Sequence, residues 1–217
     1  MQNQLQQVYD LSLSYRVDDF LITKNSELNS IEGNQSSRPS AEKLLIRQHN
    51  EDLDIALYIA EELIQNLEQH NPYQCLDHKN IQAFCTALEG VSHFLYLTWN
   101  AGHNRCVSQL ELELQAEVDK FVTLYSLCKT QGSLSGHDML LSWLFEHCSF
   151  ASNLNRVERI RYQTANKLAH RFCQRIGRLI ENGNDQSSPY RELRRFYRRR
   201  HHHKLDGIDE PGCLPGP

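Results

Sequence analysis

Apolar residues change their spacing along this chain, and each change marks a different element. Between Leu53 and Ile59 they alternate. Leu53, Ile55, Leu57 and Ile59 share one side of an extended chain, with Asp54, Ala56 and Tyr58 on the other, the period-two pattern of a strand. Lys43 to Gln48 precedes it across the polar stretch His49-Asn50-Glu51-Asp52, so a β-hairpin is predicted. Two strands alone are marginal in water and need a surface to lie on.

From residue 60 onward the spacing is helical. Ala60 to Gln69 predicts a short helix that stops near Asn71-Pro72, and Asn80 to Asn100 predicts a long one. At about 100° per residue, Ile81, Phe84, Cys85, Leu88, Val91, Leu95 and Trp99 fall on one side of the long helix. Ala83, Ala87, Gly90, Phe94 and Leu97 occupy another, which confines Gln82, Thr86, Glu89, His93 and Asn100 to a narrow sector. A helix that is apolar on most sides is buried, so Glu89 and His93 require partners inside the protein.

Ser108 with Glu111 forms a capping box and opens a helix to about Lys129, with Leu110, Leu114, Val118, Phe121, Tyr125 and Cys128 inward. Thr130 to Gly136 reads as a turn, and His137 to His147 as a shorter helix on Met139, Leu140, Trp143 and Leu144. Asn155 to about Asn182 predicts a long helix with Val157, Ile160, Thr164, Leu168, Phe172, Ile176 and Leu179 inward, ended by Gly183-Asn184-Asp185. Ser188 caps a last helix with Pro189 at its first position, where the missing donor costs nothing.

Upstream, residues 1–22 predict one or two short helices, and Asn25 to Ser40 a polar linker. The Pro/Gly-rich tail from Gly207 is expected to be disordered. The fold class is therefore mainly α: a four- to five-helix bundle with one β-hairpin packed on it and an Arg-rich C-terminal helix. It divides into 1–40 (short helices and linker), 41–183 (hairpin and bundle), 184–206 (basic helix) and 207–217 (tail).

Charge sharpens this picture. Residues 1–150 carry 9 Lys and Arg against 20 Asp and Glu, whereas residues 151–217 carry 14 against 7. Such a split implies either docking of one half on the other or an acidic ligand for the basic end. No apolar run reaches the roughly 18 to 20 residues of a spanning helix, and the N-terminus lacks the features of a secretory signal. The seven Cys form no C-x-x-C pair and read as reduced thiols packed as small hydrophobes, consistent with a cytoplasmic setting.

Two constellations can carry chemistry. The first is interior: Glu89 and His93, with Glu117 (one turn from Glu113) on the following long helix and Arg161 within the apolar stripe of the next. Buried Arg is rare unless paired, so these four are expected to meet, either as a network fixing helix register or as a small active or ligand site. No Glu-x-x-His, zinc-type Cys/His spacing or His-Glu-x-x-His occurs, nor a phosphate loop or nucleophile elbow. No catalytic residue, metal or cofactor is predicted.

The second is Tyr190 to Lys204, YRELRRFYRRRHHHK. Tyr190, Leu193, Phe196 and Tyr197 form a stripe, and Arg191, Arg194, Arg195, Arg198, Arg199 and Arg200 cover the rest, followed by His201, His202 and His203. Arg191, Arg194, Arg195, Phe196, Tyr197, Arg198, Arg199 and Arg200 are the candidate partner-binding residues. The leading partner is an acidic protein surface, this chain's own body included. Nucleic acid is the next alternative, and an anionic membrane surface is the weakest.

The runs LEGVSHFLYLTWNAG (88–102), VSQLELELQAEVDKFV (107–122) and ELRRFYR (192–198) resemble an uncharacterised group of proteobacterial cytosolic helical proteins. The resemblance implies a bacterial cytosolic setting and brings no activity, cofactor or site with it. The leading expectation is a non-enzymatic regulatory or adaptor protein engaging an acidic surface through the basic helix. The alternatives are a small helical enzyme or ligand-binding protein built on the interior cluster, and a nucleic-acid-binding protein.

Overall fold

The computed structural model describes residues 1–33, 40–49, 52–133, 137–147, 154–181, 187–199 and 204. The chain is mainly α with a small sheet. In order it forms α1 (Gln2–Tyr9), a 3-10 turn (Val17–Phe20), β1 (Leu21–Ile22), α2 (Asn25–Glu32), β2 (Glu42–His49), β3 (Asp52–Ile59) and α3 (Glu61–Gln69). Then come α4 (Ile81–Ala101), α5 (Gln109–Thr130), α6 (His137–Leu141) running into a π-helical turn (Ser142–Glu146), α7 (Arg156–Glu181) and α8 (Ser187–Arg198).

The hairpin is antiparallel, with Leu44 opposite Leu57 and Glu42 opposite Ile59. A third strand joins it. β1 pairs in parallel with β3 through Leu21 and Ile22, giving the order β1-β3-β2. Two residues of strand were too short to leave a periodic signal. Asn25 to Ser40 is likewise not all linker, because α2 forms in its first half and buries Leu28.

α4 runs through the middle of the molecule, contacting β2, β3, α1, α3 and α5. Phe84, Leu88, Phe94, Leu95 and Tyr96 are essentially inaccessible to water. The capping box at Ser108 and Glu111 is complete in both directions, and it fixes where α5 begins. α5 packs along both α4 and α7.

Two inward faces differ from the sequence expectation. On α7, Val157 and Ile160 are 72% and 53% exposed, and the seam is instead Ala165, Ala169, Phe172, Cys173 and Ile176. In α6 and its π-helical turn, Met139 and Trp143 face solvent while Leu140, Leu141, Leu144 and Phe145 are buried. On α7 the seam runs through the small Ala165 and Ala169, and in α6 and its turn the positions next to Met139 and Trp143 turn inward instead of them. Of the thiols, Cys85 and Cys173 are buried but Cys75 and Cys106 are exposed, and all five described ones are free. The tail, Arg200 and His201 to His203 lie outside the described residues, as do 50–51, 134–136 and 183–185 of the predicted turns.

Candidate functional site

α5 carries two polar stripes on opposite sides. At about 100° per residue, Glu113, Glu117 and Lys120 share one side, while Glu111, Gln115 and Asp119 share the other. Each stripe meets a different set of neighbours, so two buried polar clusters flank the contact between α4 and α5.

The first cluster holds His93, which is only 7% exposed. Its Nδ1 lies 3.5 Å from Glu42 Oε1 on β2, and its Nε2 lies 3.6 Å from Glu113 Oε2 on α5. Glu42 reaches this position because alternation along β2 turns it to the same side as Leu44, and because α4 has no side chain at Gly90. A Cβ built at Gly90 would stand 2.7 Å from Glu42 Cγ and 2.9 Å from Leu57 Cδ1. Arg161 Nε sits 3.5 Å from Glu113 Oε1, and its guanidinium donates a hydrogen bond to Gln109. Lys120 donates to Glu89 Oε2 at 2.6 Å and to Glu117 Oε1 at 2.9 Å.

Of the four residues expected to meet, Glu89, His93 and Arg161 stand in one region, but Glu117 does not face His93. Lys120 holds Glu117 instead, and Glu113, one turn earlier, takes the place beside His93 and Arg161. Glu42 has no counterpart in the sequence reading. Its signal was the strand register, which puts it inward two residues before Leu44.

Electrostatics follow from this packing. Burial pushes the His93 imidazole toward neutrality, but the Glu113 and Glu42 carboxylates outweigh it and hold the proton on well above the usual range. Burial raises the Glu42 carboxyl, with Glu89 and Glu113 adding to the shift and His93 opposing it. Burial disfavours the Lys120 ammonium, yet Glu117 and Glu89 more than compensate. Three polar atoms here remain without a hydrogen-bond partner: Glu42 Oε1, His93 Nε2 and Arg161 Nε. Glu89, His93 and Glu113 each offer a ligating atom, and those atoms lie within 4.8 Å of one another.

The second cluster is sealed. Asp119 accepts hydrogen bonds from Tyr9 Oη, from Ser92 Oγ at 2.6 Å and from Gln115 Nε2 at 2.8 Å. Lys204, 0% exposed, donates to Gln115 Oε1 at 2.8 Å. Its ammonium lies over the Tyr96 and Phe196 rings, at 4.1 and 4.5 Å from their centroids. Burial drives the Lys204 ammonium down to about 7 against the opposing pull of Glu111 and Asp119. Burial likewise raises the Asp119 carboxyl to about 6, even with three donors and Lys204 opposing it.

The last helix is committed inward more than its sequence suggests. Leu193, Phe196 and Tyr197 are buried. Phe196 stacks on Phe172, and Tyr197 stacks on Tyr9. Expected at a partner surface, Phe196 and Tyr197 are instead core residues, because α1 and α7 close over them. Arg194 Nε donates to Val8 O at 3.1 Å and Arg198 donates to Asp10 O at 2.8 Å. These two arginines therefore satisfy carbonyls at the end of α1. Arg191 and Arg195 are exposed and Arg199 is half-buried.

A cleft of about 580 Å³ lies between α1, the 3-10 turn, α3 and α4, and none of its lining residues belongs to the His93 cluster. No helix among the described residues is long and apolar enough to cross a membrane. No family model matches the chain, and neither a curated protein nor a solved structure matches it.

Proposed function

We propose that the chain is a non-enzymatic binding protein of the regulatory or adaptor kind, which presents the solvent side of the α7–α8 pair to an acidic partner surface. The observation that carries this reading is the charge of that pair. α7 and α8 together hold 11 Arg and Lys against 3 Glu, and all three Glu are engaged. Glu192 takes Arg175 at 2.7 Å, Glu181 takes His137 at 2.5 Å, and Glu158 accepts from the Asn155 amide.

On α7 the exposed positions Lys167, Arg171 and Arg178 follow one another at helical spacing, with Arg191 and Arg195 exposed on α8. Arg194 and Arg198 anchor α8 to α1 and so keep it rigid. In this reading the bundle supplies a fixed scaffold, and the outward cations supply steering and salt sensitivity.

The test uses the full chain and two probes, a fluorescent poly-glutamate peptide and a single-stranded oligonucleotide, followed by anisotropy at about 50 and 200 mM salt. The peptide is expected to bind, to weaken with salt, and to lose at least about tenfold in affinity when Lys167, Arg178 and Arg195 are replaced together by Glu. Failure of the natural chain to bind the peptide, or undiminished binding by that variant, overturns the reading. Clear preference for the oligonucleotide replaces it with the nucleic-acid alternative.

A further inference from the structure

We propose that Glu89, His93 and Glu113 bind one divalent first-row transition-metal ion, with Glu42 orienting His93 from the opposite side of the ring. The first argument is spacing. His93 Nε2 and Glu113 Oε2 stand 3.6 Å apart, too far for a hydrogen bond, which needs about 2.7–3.2 Å. Two atoms each about 2.1 Å from a tetrahedral ion are themselves about 3.4 Å apart. The observed separation is close to that of two ligands of one ion, and Glu89, His93 and Glu113 each offer a ligating atom within 4.8 Å of the other two.

The second argument is satisfaction. His93 Nε2 is a buried ring nitrogen without a hydrogen-bond partner, and it points between two carboxylates. A metal at Nε2 leaves the ring proton on Nδ1, facing Glu42 Oε1, also without a partner, across 3.5 Å, a gap that closes by about half an ångström when the hydrogen bond forms. Carboxylate–histidine–metal relays of this kind fix the tautomer and the ring plane. Arg161 holds Glu113 by Oε1 and so turns Oε2 toward His93, while Lys120 holds Glu89.

The third argument is charge. Four carboxylates, Glu42, Glu89, Glu113 and Glu117, surround two permanent cations, Lys120 and Arg161. With His93 neutral, as a metal ligand must be, the excess of two negative charges matches one divalent ion, and the proton His93 otherwise carries is released on binding. The donor set of one imidazole and two carboxylates selects Zn²⁺ or Mn²⁺ over Mg²⁺, which prefers oxygen alone. Glu89, Glu117 and Arg161 have side chains about a fifth exposed, and of these Glu89 is the ligand, so an ion approaches from its side.

The experiment titrates chelator-treated full-length protein with ZnCl₂, MnCl₂ and MgCl₂ by calorimetry. It is run in a background where His201, His202 and His203 are Ala, so that the terminal histidines contribute nothing. One equivalent of Zn²⁺ is expected to bind most tightly, Mn²⁺ more weakly and Mg²⁺ least. Bound Zn²⁺ should also raise the melting temperature. His93→Gln and Glu113→Gln should each abolish stoichiometric binding, and Glu42→Gln should weaken it by about 10- to 100-fold.

Folding of each variant is checked by circular dichroism. Glu89→Gln, at the more exposed ligand, keeps the test open should the buried variants unfold. Absence of stoichiometric binding by the folded parent chain overturns the proposal without reference to any variant. It is equally overturned by Mg²⁺ binding as tight as Mn²⁺, or by Zn²⁺ affinity unchanged in Glu89→Gln.

Discussion

Gly90→Ala tests a close approach, the place where the sheet meets α4. The substitution has two opposed effects. In the interior of a helix Ala is favoured over Gly by about 1 kcal/mol. Against this, the new Cβ would lie 2.7 Å from Glu42 Cγ, 2.9 Å from Leu57 Cδ1 and 3.0 Å from Glu42 Oε1. Cγ is not the free end of Glu42, so relief requires β2 to move or the side chain to leave His93. Overpacking of this kind costs about 1–3 kcal/mol, and a net destabilisation of up to about 2 kcal/mol is expected. For a chain of this size that lowers the melting temperature by about 2–4 °C per kcal/mol.

Urea denaturation of the two proteins measures the difference. Glu42→Ala in both backgrounds closes a double-mutant cycle, since it deletes two of the three clashing atoms. A coupling of about 1 kcal/mol between positions 42 and 90 is expected. If Gly90→Ala is instead more stable by the full helix-propensity increment, with no coupling to Glu42, the sheet does not press on α4 at this point. Both the burial of Glu42 and its contact with His93 then fall with it.

Lys204 makes stability depend on pH in a direction opposite to that of an ordinary paired lysine. Its folded value lies near 7 and its unfolded value near 10.4, so the unfolded chain holds the extra proton in between. Stability should rise as pH climbs from about 7 to 10, by up to a few kcal/mol. Asp119, which titrates near 6, lies below this window. Denaturation of the natural chain and of Lys204→Met at pH 7.5 and 10 should show the variant's advantage shrinking with pH, and a constant difference contradicts the burial of the ammonium. Tyr9→Phe removes one of three donors to Asp119 and should cost about 1–2 kcal/mol, read by the same denaturation. Arg194→Gln with Arg198→Gln should free the end of α1, and hydrogen exchange should show faster exchange confined to α1 and its contacts with α8.

The hairpin, the long helices and the capping box were legible because each depends on spacing within one segment. What the sequence left out depends on register between segments. α5 is an example: its apolar stripe is readable, but Glu111, Gln115 and Asp119 recur every four residues on the far side, where a search for one inward face discards them. α7 shows the same limit. Val157 and Ile160 look inward by size, yet Ala165 and Ala169 let α5 come close and rotate the seam toward themselves. The arginines of α8 are alike in sequence, and only α1 distinguishes Arg194 and Arg198, which end on its carbonyls, from the exposed Arg191 and Arg195. Glu42 was missed for a related reason, since its inward position follows from pairing with Ile59.

The two polar clusters differ in the one respect that separates scaffold from site. Around Asp119 the hydrogen bonds from Tyr9, Ser92 and Gln115 are all made, Lys204 closes the far end, and the three elements joined there, α1, α4 and α5, come from distant parts of the chain. A network bonded in this way fixes helix register. Around His93 the same helices, now held in register, present orphaned nitrogen and oxygen atoms to one another at separations too long for hydrogen bonds. Loose geometry there cannot be blamed on loose helices, because the Asp119 network locks α4 against α5 from the other side. The mismatch at His93 is thus a property of the site itself. It follows that Asp119→Asn and Tyr9→Phe should weaken Zn²⁺ binding only through register, whereas Glu113→Gln should remove it with the fold intact.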